Sequence, residues 1–254
     1  MRNTLKALIC ACLLCGSLCA QSQEDGLTAE EIIEKMTDNN QGETLYSEVT
    51  MQIVRPTWQR EVGIKSWSKG EDFSLLLTPA PAKDKGQSYL KRGKDMWNWL
   101  PSINRMVKMS SSMMGQSWMG SDFTNDDMTK IASIKNDYTH ERGEDDTVNG
   151  YECYKLILIP KEDAAVVWGK VILWVTKEDF IEIKSESYDE NGELVNTFTG
   201  YDIKTFQGRK IPTRAERVPA DKPGHKTVLH IHKNEFDKPI PDSFFSQQNM
   251  KKLR

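Results

Sequence analysis

Cysteine is nearly absent from the body of this chain. Of five cysteines, Cys10, Cys12, Cys15 and Cys19 crowd into the first twenty residues, and Cys153 stands alone after them. One cysteine cannot form an internal disulfide, so the fold is expected to be held by its core. Long apolar runs are missing too. Beyond residue 20 no stretch approaches ~20 consecutive apolar residues, which excludes a helical membrane span there. Nor is positive charge in surplus. The formal net charge is −3, and about −5 once residues 1–20, with Arg2 and Lys6, are set aside. Phosphate backbones are bound by basic faces, so a nucleic-acid partner is not expected. Gly-rich phosphate loops, dinucleotide fingerprints and nucleophile elbows are absent as well. An enzyme is therefore not expected, and no cofactor is implied.

The N-terminus carries a distinct signal. Arg2 and Lys6 precede a short apolar run from Ala7 to Leu18, and Ala20 precedes the polar Gln21, Ser22 and Gln23. This layout predicts a secretory signal peptide over residues 1–20, followed by one domain over 21–254. Cleavage after Cys19 or Ser22 is an alternative, because Leu18 sits poorly at the third position before the cut. Lipid attachment at Cys15 or Cys19 is a second alternative, but Leu14 and Leu18 stand where a small residue is wanted. The expected product is exported, periplasmic, soluble and monomeric.

Thr28 and Glu31 have capping-box spacing, Leu27 and Ile32 have staple spacing, and Ala29, Ile32, Ile33 and Met36 fall at helical intervals. One N-terminal helix is predicted, ended by the run from Asn39 to Gly42. After it the period becomes two. Val49, Met51 and Ile53 alternate with polar neighbours, and further strands are predicted at 61–69, 73–78, 88–91, 96–100, 151–160, 169–176, 180–188, 194–206, 210–219 and 226–236. Turn pairs such as Asn149-Gly150, Asn191-Gly192 and Gln207-Gly208 separate them. About ten or eleven antiparallel strands predict one strongly curved sheet or a barrel. Two strands, at Leu156–Ile159 and Val171–Val175 in numbering, are apolar on both faces, which calls for a covering helix or loop on one side.

Residues 101–128 break the alternation. Six of the eleven methionines (Met106, Met109, Met113, Met114, Met119 and Met128) fall within 23 residues, where about one would be expected, and Trp118 and Phe123 join them. Serines and glycines lie between. Met-rich segments suit apolar partners of variable shape, and a covering loop of the core has the same composition, so a lid satisfies both readings. Just before it, Trp97 and Trp99 share one face of a strand, as a cavity wall or as ordinary core. Asp122, Asp126 and Asp127 invite an acid–base or metal reading, but Thr124 followed by Asp127 is a capping pattern. His230 and His232 share a strand face without a third ligand nearby, so no metal is expected. His140 and Cys153 have no catalytic context.

The run YLKRGKDMWNWLPSINRMVKMSSSMMGQSWMGSDFTNDDM (residues 89–128) resembles the outer-membrane lipoprotein-sorting protein family, similar to the LolA and LolB carriers. The closing IPDSFFSQQNMKKL (240–253) looks like that family's end. The resemblance implies a half-open antiparallel β-barrel wrapped around a helical or loop lid, with an apolar cavity for acyl chains. It places Trp97, Trp99 and Leu100 on the inner wall. Met106, Met109, Met113, Met114, Trp118, Met119 and Phe123 would form the lid or cavity mouth, with Arg105 and Lys108 near an anionic head group. The implied function is a carrier of lipid or lipoprotein acyl chains toward the outer membrane, with an inner-membrane transporter or outer-membrane acceptor as partner. A periplasmic adaptor or sensor using the same cavity is the alternative.

Overall fold

The helix begins where its cap predicts. The Thr28 hydroxyl accepts from the Glu31 N–H at 3.2 Å, and the Glu31 carboxylate accepts from the Thr28 N–H at 2.8 Å. This exchange satisfies two backbone donors that a helix start otherwise leaves orphaned. Helix α1 (Ala29–Gln41) ends at Gly42, where a φ of 58° and the adjacent Asp237 carboxylate leave no place for a Cβ. The computed structural model describes residues 26–129 and 134–253, so the expected signal peptide lies outside the described residues.

Among the described residues fourteen strands follow, all in one antiparallel sheet: β1 (Thr44–Arg55), β2 (Trp58–Lys69), β3 (Phe73–Ala80), β4 (Ser88–Arg92), β5 (Asp95–Leu100), β6 (Arg105–Lys108), β7 (Tyr138–Arg142), β8 (Asp146–Val148), β9 (Tyr151–Pro160), β10 (Lys170–Thr176), β11 (Glu182–Tyr188), β12 (Leu194–Phe206), β13 (Arg209–Pro219) and β14 (Lys226–Phe236). The order is β6-β5-β4-β3-β2-β1-β14-β13-β12-β11-β10-β9-β7, with β8 beside β9. Two meanders meet where β1 pairs with β14. The sheet does not close, because β6 and β7 are its two edges. This is a half-open barrel, mainly β with few helices. All eleven predicted strands are present. The count of ten or eleven is short by β6, β7 and β8, each of five residues or fewer. Short strands at an edge are only partly buried, so they leave no long alternating pattern to read.

Three bodies pack on this sheet. Helix α1 lays Ala29, Ile32, Ile33 and Met36 against Leu156, Leu158, Val171, Leu173 and Val175 of β9 and β10. This is the covering helix that the doubly apolar strands require. Each such buried aliphatic chain contributes about 1.5–3 kcal/mol before entropy is counted. On the opposite face of the same strands, Trp174 packs with Cys153 and Ile183, and Lys184 Nζ lies 4.2 Å from the Trp174 ring centroid. The Met-rich segment folds inward against β1 to β4, and the C-terminal segment with helix α3 (Gln247–Lys252) covers the outer face of β3 to β5. No helix among the described residues is long and apolar enough to cross a membrane.

Candidate functional site

The inward-facing positions of the sheet are not all large. Ser47 of β1, Ser66 and Ser68 of β2, Ser74 of β3, and Ser185 and Ser187 of β11 stand where bulky side chains would fill the barrel. Their small volume leaves an internal cavity of about 420 Å³. Its walls are otherwise apolar, with Leu45, Val49, Ile64, Leu76, Phe198 and Leu229 among them. Lining residues near the α1 C-terminus and the β2–β3 turn are partly exposed (Asn40, Gln41, Glu71) or exposed (Gly70), and this marks the opening. Phe123, Asp126, Ser185 and Arg217 line the far part and are buried.

The Met-rich segment plugs the end of the barrel away from that opening. Trp118 is fully buried with its ring 5.6 Å from Tyr89, and Met109, Met114 and Phe123 pack against Met51, Ile53, Val62 and Ile64. Met113 and Met119 are half-buried on the same cluster. Basic side chains of the strands hold the segment. Arg60 donates to the Met119 carbonyl at 2.8 Å, and Arg55 donates to the Gly120 carbonyl at 2.8 Å and to Asp122 at 3.0 Å. Met119 takes a left-handed φ of 51°, which turns its carbonyl into reach of Arg60. Thr227 of β14 donates to Asp122 at 2.6 Å from the other side.

Helix α2 (Asn125–Thr129) follows, and its cap is the one predicted. The Thr124 N–H and hydroxyl both donate to Asp127 Oδ2, and the Asp127 N–H donates to the Thr124 hydroxyl. Asp127 does more than cap. It accepts from Trp168 Nε1 at 3.1 Å and pairs with Arg217 of β13, both side chains being about nine-tenths buried. The Arg217 guanidinium stacks 4.4 Å from the Phe123 ring centroid.

Glu182 completes this interior polar group. Strict alternation from Lys184 and Glu186 would turn Glu182 outward. A register shift between Trp174 and Val175 in the β10–β11 pairing reverses the parity, so Glu182 lines the cavity with Ser185. The residue is half-buried among the cavity lining. Burial raises its pKa above the ordinary value, opposed by the hydrogen bond from Ser185 and by Arg217.

Of the residues assigned to the inner wall, lid and head-group contacts, only Phe123 lines the cavity, and Met128 of the Met-rich run lines it too. Trp97 and Trp99 do not face inward: they pair with Leu90 and Ser88 and pack with Phe245 and Met250 of the C-terminal segment. Period two shows that the two tryptophans share a face, but not which face is inside. Met106 joins them in that outer cluster, and Leu100 is half-buried at the strand end opposite Arg105. Lys108 pairs with Asp95 at 2.7 Å, and Arg105 is exposed on edge strand β6, so neither lines the cavity. His232 shares a hydrogen bond of 2.8 Å with Thr50 across the strands. Glu182, Arg217 and the serine positions escaped sequence reasoning. The signals available were the Ser-Trp-Ser of β2 and the Ser-Glu-Ser of β11, which place small polar residues two apart on one strand face.

A family model described as an uncharacterized protein matches residues 70–252. No curated protein matches the sequence. Among solved structures, a LolA superfamily protein from Nitrosomonas europaea is 25% identical, with 87% of this chain and 99% of that one covered at a TM-score of 0.77. A DUF1329 family protein from Desulfovibrio piger is 22% identical over 87% of this chain and 97% of its own, with a TM-score of 0.80. A domain named for outer membrane lipoprotein sorting, from Vibrio parahaemolyticus, is 20% identical over 88% and 98%, with a TM-score of 0.78.

Proposed function

The chain belongs to this LolA-like family, and on that premise we propose that it is a periplasmic carrier whose cavity takes a lipid or lipoprotein acyl chain. The observation that carries the proposal is the largely apolar cavity inside the half-open barrel, open at one end and plugged by the Met-rich segment at the other. Each buried CH₂ contributes about 0.8 kcal/mol, so a fourteen-carbon chain has a gross transfer term near 10 kcal/mol. That is enough to hold a chain out of water. Release then requires the walls to yield, and residues 109–123 supply a Met-rich plug held by polar contacts at its tip rather than by a strand ladder. Within this reading the acyl wall is the serine-spaced inner face with Phe123, while Met109, Met113, Met114, Trp118 and Met119 form the movable plug.

The test is direct. The chain from residue 21 is purified, extracted with organic solvent and analysed by mass spectrometry, and the emptied protein is titrated with a fluorescent fatty acid. A stoichiometric lipid, or saturable uptake, is expected. An empty protein that takes up nothing would overturn the carrier reading and favour an adaptor that docks on a membrane transporter.

A further inference from the structure

The cavity has a polar pole that a bare hydrocarbon chain would leave unused. Arg217, Phe198 and Ser185 are directly paired across β13, β12 and β11, and the same row runs on through Thr227 to Ile53 of β1. Ile53 lies eight residues from Leu45 at the opening, so the row sits roughly 26 Å along the strand from the mouth. At this depth Arg217 is 7% exposed, and its Nε–H has no hydrogen-bond partner. A buried donor left unmade costs about 1–3 kcal/mol. Asp127 is engaged by Arg217 through Nη1, not Nε, and also accepts from Thr124 and Trp168. The β11 register shift turns Glu182 into the same cavity, where its carboxyl accepts a hydrogen bond from Ser185 and feels the charge of Arg217.

The charge balance of the pole is specific. Asp127 neutralises Arg217, Asp126 adds a further buried carboxyl to the lining, and burial favours the uncharged form of Glu182. An anion added here would lose its hydration without meeting net positive charge. An uncharged acceptor such as an ester or amide carbonyl or a hydroxyl meets Arg217 Nε and the Glu182 carboxyl without that cost. Size narrows the occupant further. An apolar cavity of about 150 Å³ holds a six-carbon ring, so one of about 420 Å³ holds on the order of seventeen carbon atoms. That is one chain.

We propose that Arg217, Glu182 and Ser185 form a head-group site at the closed end of the cavity, and that its ligand is a single-chain lipid with an uncharged hydrogen-bonding head, bound head inward. The proposal rests on the carrier reading above and narrows its cargo: a lipid whose head is tethered to a protein or carries a phosphate cannot enter this way round.

The purified chain from residue 21 is loaded with the neutral apolar dye N-phenyl-naphthylamine and titrated with monomyristoylglycerol, myristate and a diacyl phosphatidylethanolamine. Monomyristoylglycerol is expected to displace the dye at about one tenth of the concentration that myristate needs, and the diacyl lipid to compete poorly. Glu182→Leu is expected to lower the preference for monomyristoylglycerol over myristate about tenfold, each measured against the variant's own dye affinity; Ser185→Ala, a smaller change, lowers it to a lesser degree and serves if the first variant does not fold. Equal or better displacement by myristate or the diacyl lipid overturns the proposal, as does an unchanged preference for monomyristoylglycerol in the variants. A protein that binds no dye at all fails at the carrier reading instead, and takes this proposal with it.

Discussion

Arg217 of β13 donates to Asp127 of α2 inside the barrel, with side-chain exposures of 9% and 10%. Ninety residues apart in sequence, the two tie the plug segment to the far half of the sheet. A buried pair of this kind is weak evidence of net stability, but removing one partner is costly because it strands the other charge. Asp127→Ala is expected to destabilise the protein by about 3–5 kcal/mol in denaturant unfolding at neutral pH. Adding Arg217→Met to it should recover part of that loss, and a double variant no more stable than Asp127→Ala would contradict the account.

The plug is core as much as lid. Trp118 is fully buried against Tyr89, so Trp118→Ala is expected to cost about 3–5 kcal/mol. Replacing Met113, Met114 and Trp118 together by serine should lower the thermal midpoint before any effect on ligand can be read. A midpoint unchanged in either variant would show that the segment does not pack as described.

Glu182 sets a pH dependence with a definite sign. Its pKa is raised in the folded state above the ordinary 4.5 by burial. The unfolded chain therefore ionises first as pH rises, and the folded state loses stability relative to it from about pH 4.5 upward, until the folded pKa is passed. Glu182→Gln removes this effect. The variant is expected to exceed the parent in stability at pH 8, with the difference closing as pH falls to about 4. Unfolding curves across that range decide it, and a constant difference would show that ionisation is not involved.

Cys153 is fully buried, and burial pushes its thiol up to about 11. The thiolate is the reactive form, so Cys153 should resist a thiol reagent such as iodoacetamide at pH 8 and react only after unfolding. Rapid labelling of the native protein, followed by mass spectrometry, would contradict its placement under Trp174 and Ile183.

The C-terminal segment is a wall of the outer core. Phe245 and Met250 are fully buried against Leu75, Leu90 and Trp99, and Ser88 donates to the Met250 carbonyl at 2.8 Å. Phe245→Ala is expected to cost about 3–5 kcal/mol and to shift tryptophan emission to the red as Trp97 and Trp99 become wet. An unshifted spectrum would place those tryptophans elsewhere.

What the sequence determined by itself is local. The capping box and apolar spacing define α1, and the alternating runs and turn pairs define eleven strands, because helix caps and two-residue periods depend only on neighbours a few positions away. The Thr124–Asp127 cap was legible for the same reason. Tertiary structure decided the rest. Alternation groups Trp97 with Trp99 but leaves open which side they face, and only the C-terminal segment, more than a hundred residues on, makes that side the outer core. A one-residue shift in the β10–β11 ladder turns Glu182 inward against its own strand's alternation, and nothing local announces it. The cavity follows from serines on four strands that face one another only once β1 and β14 join the two meanders, since a void is a property of facing surfaces and no single segment contains one.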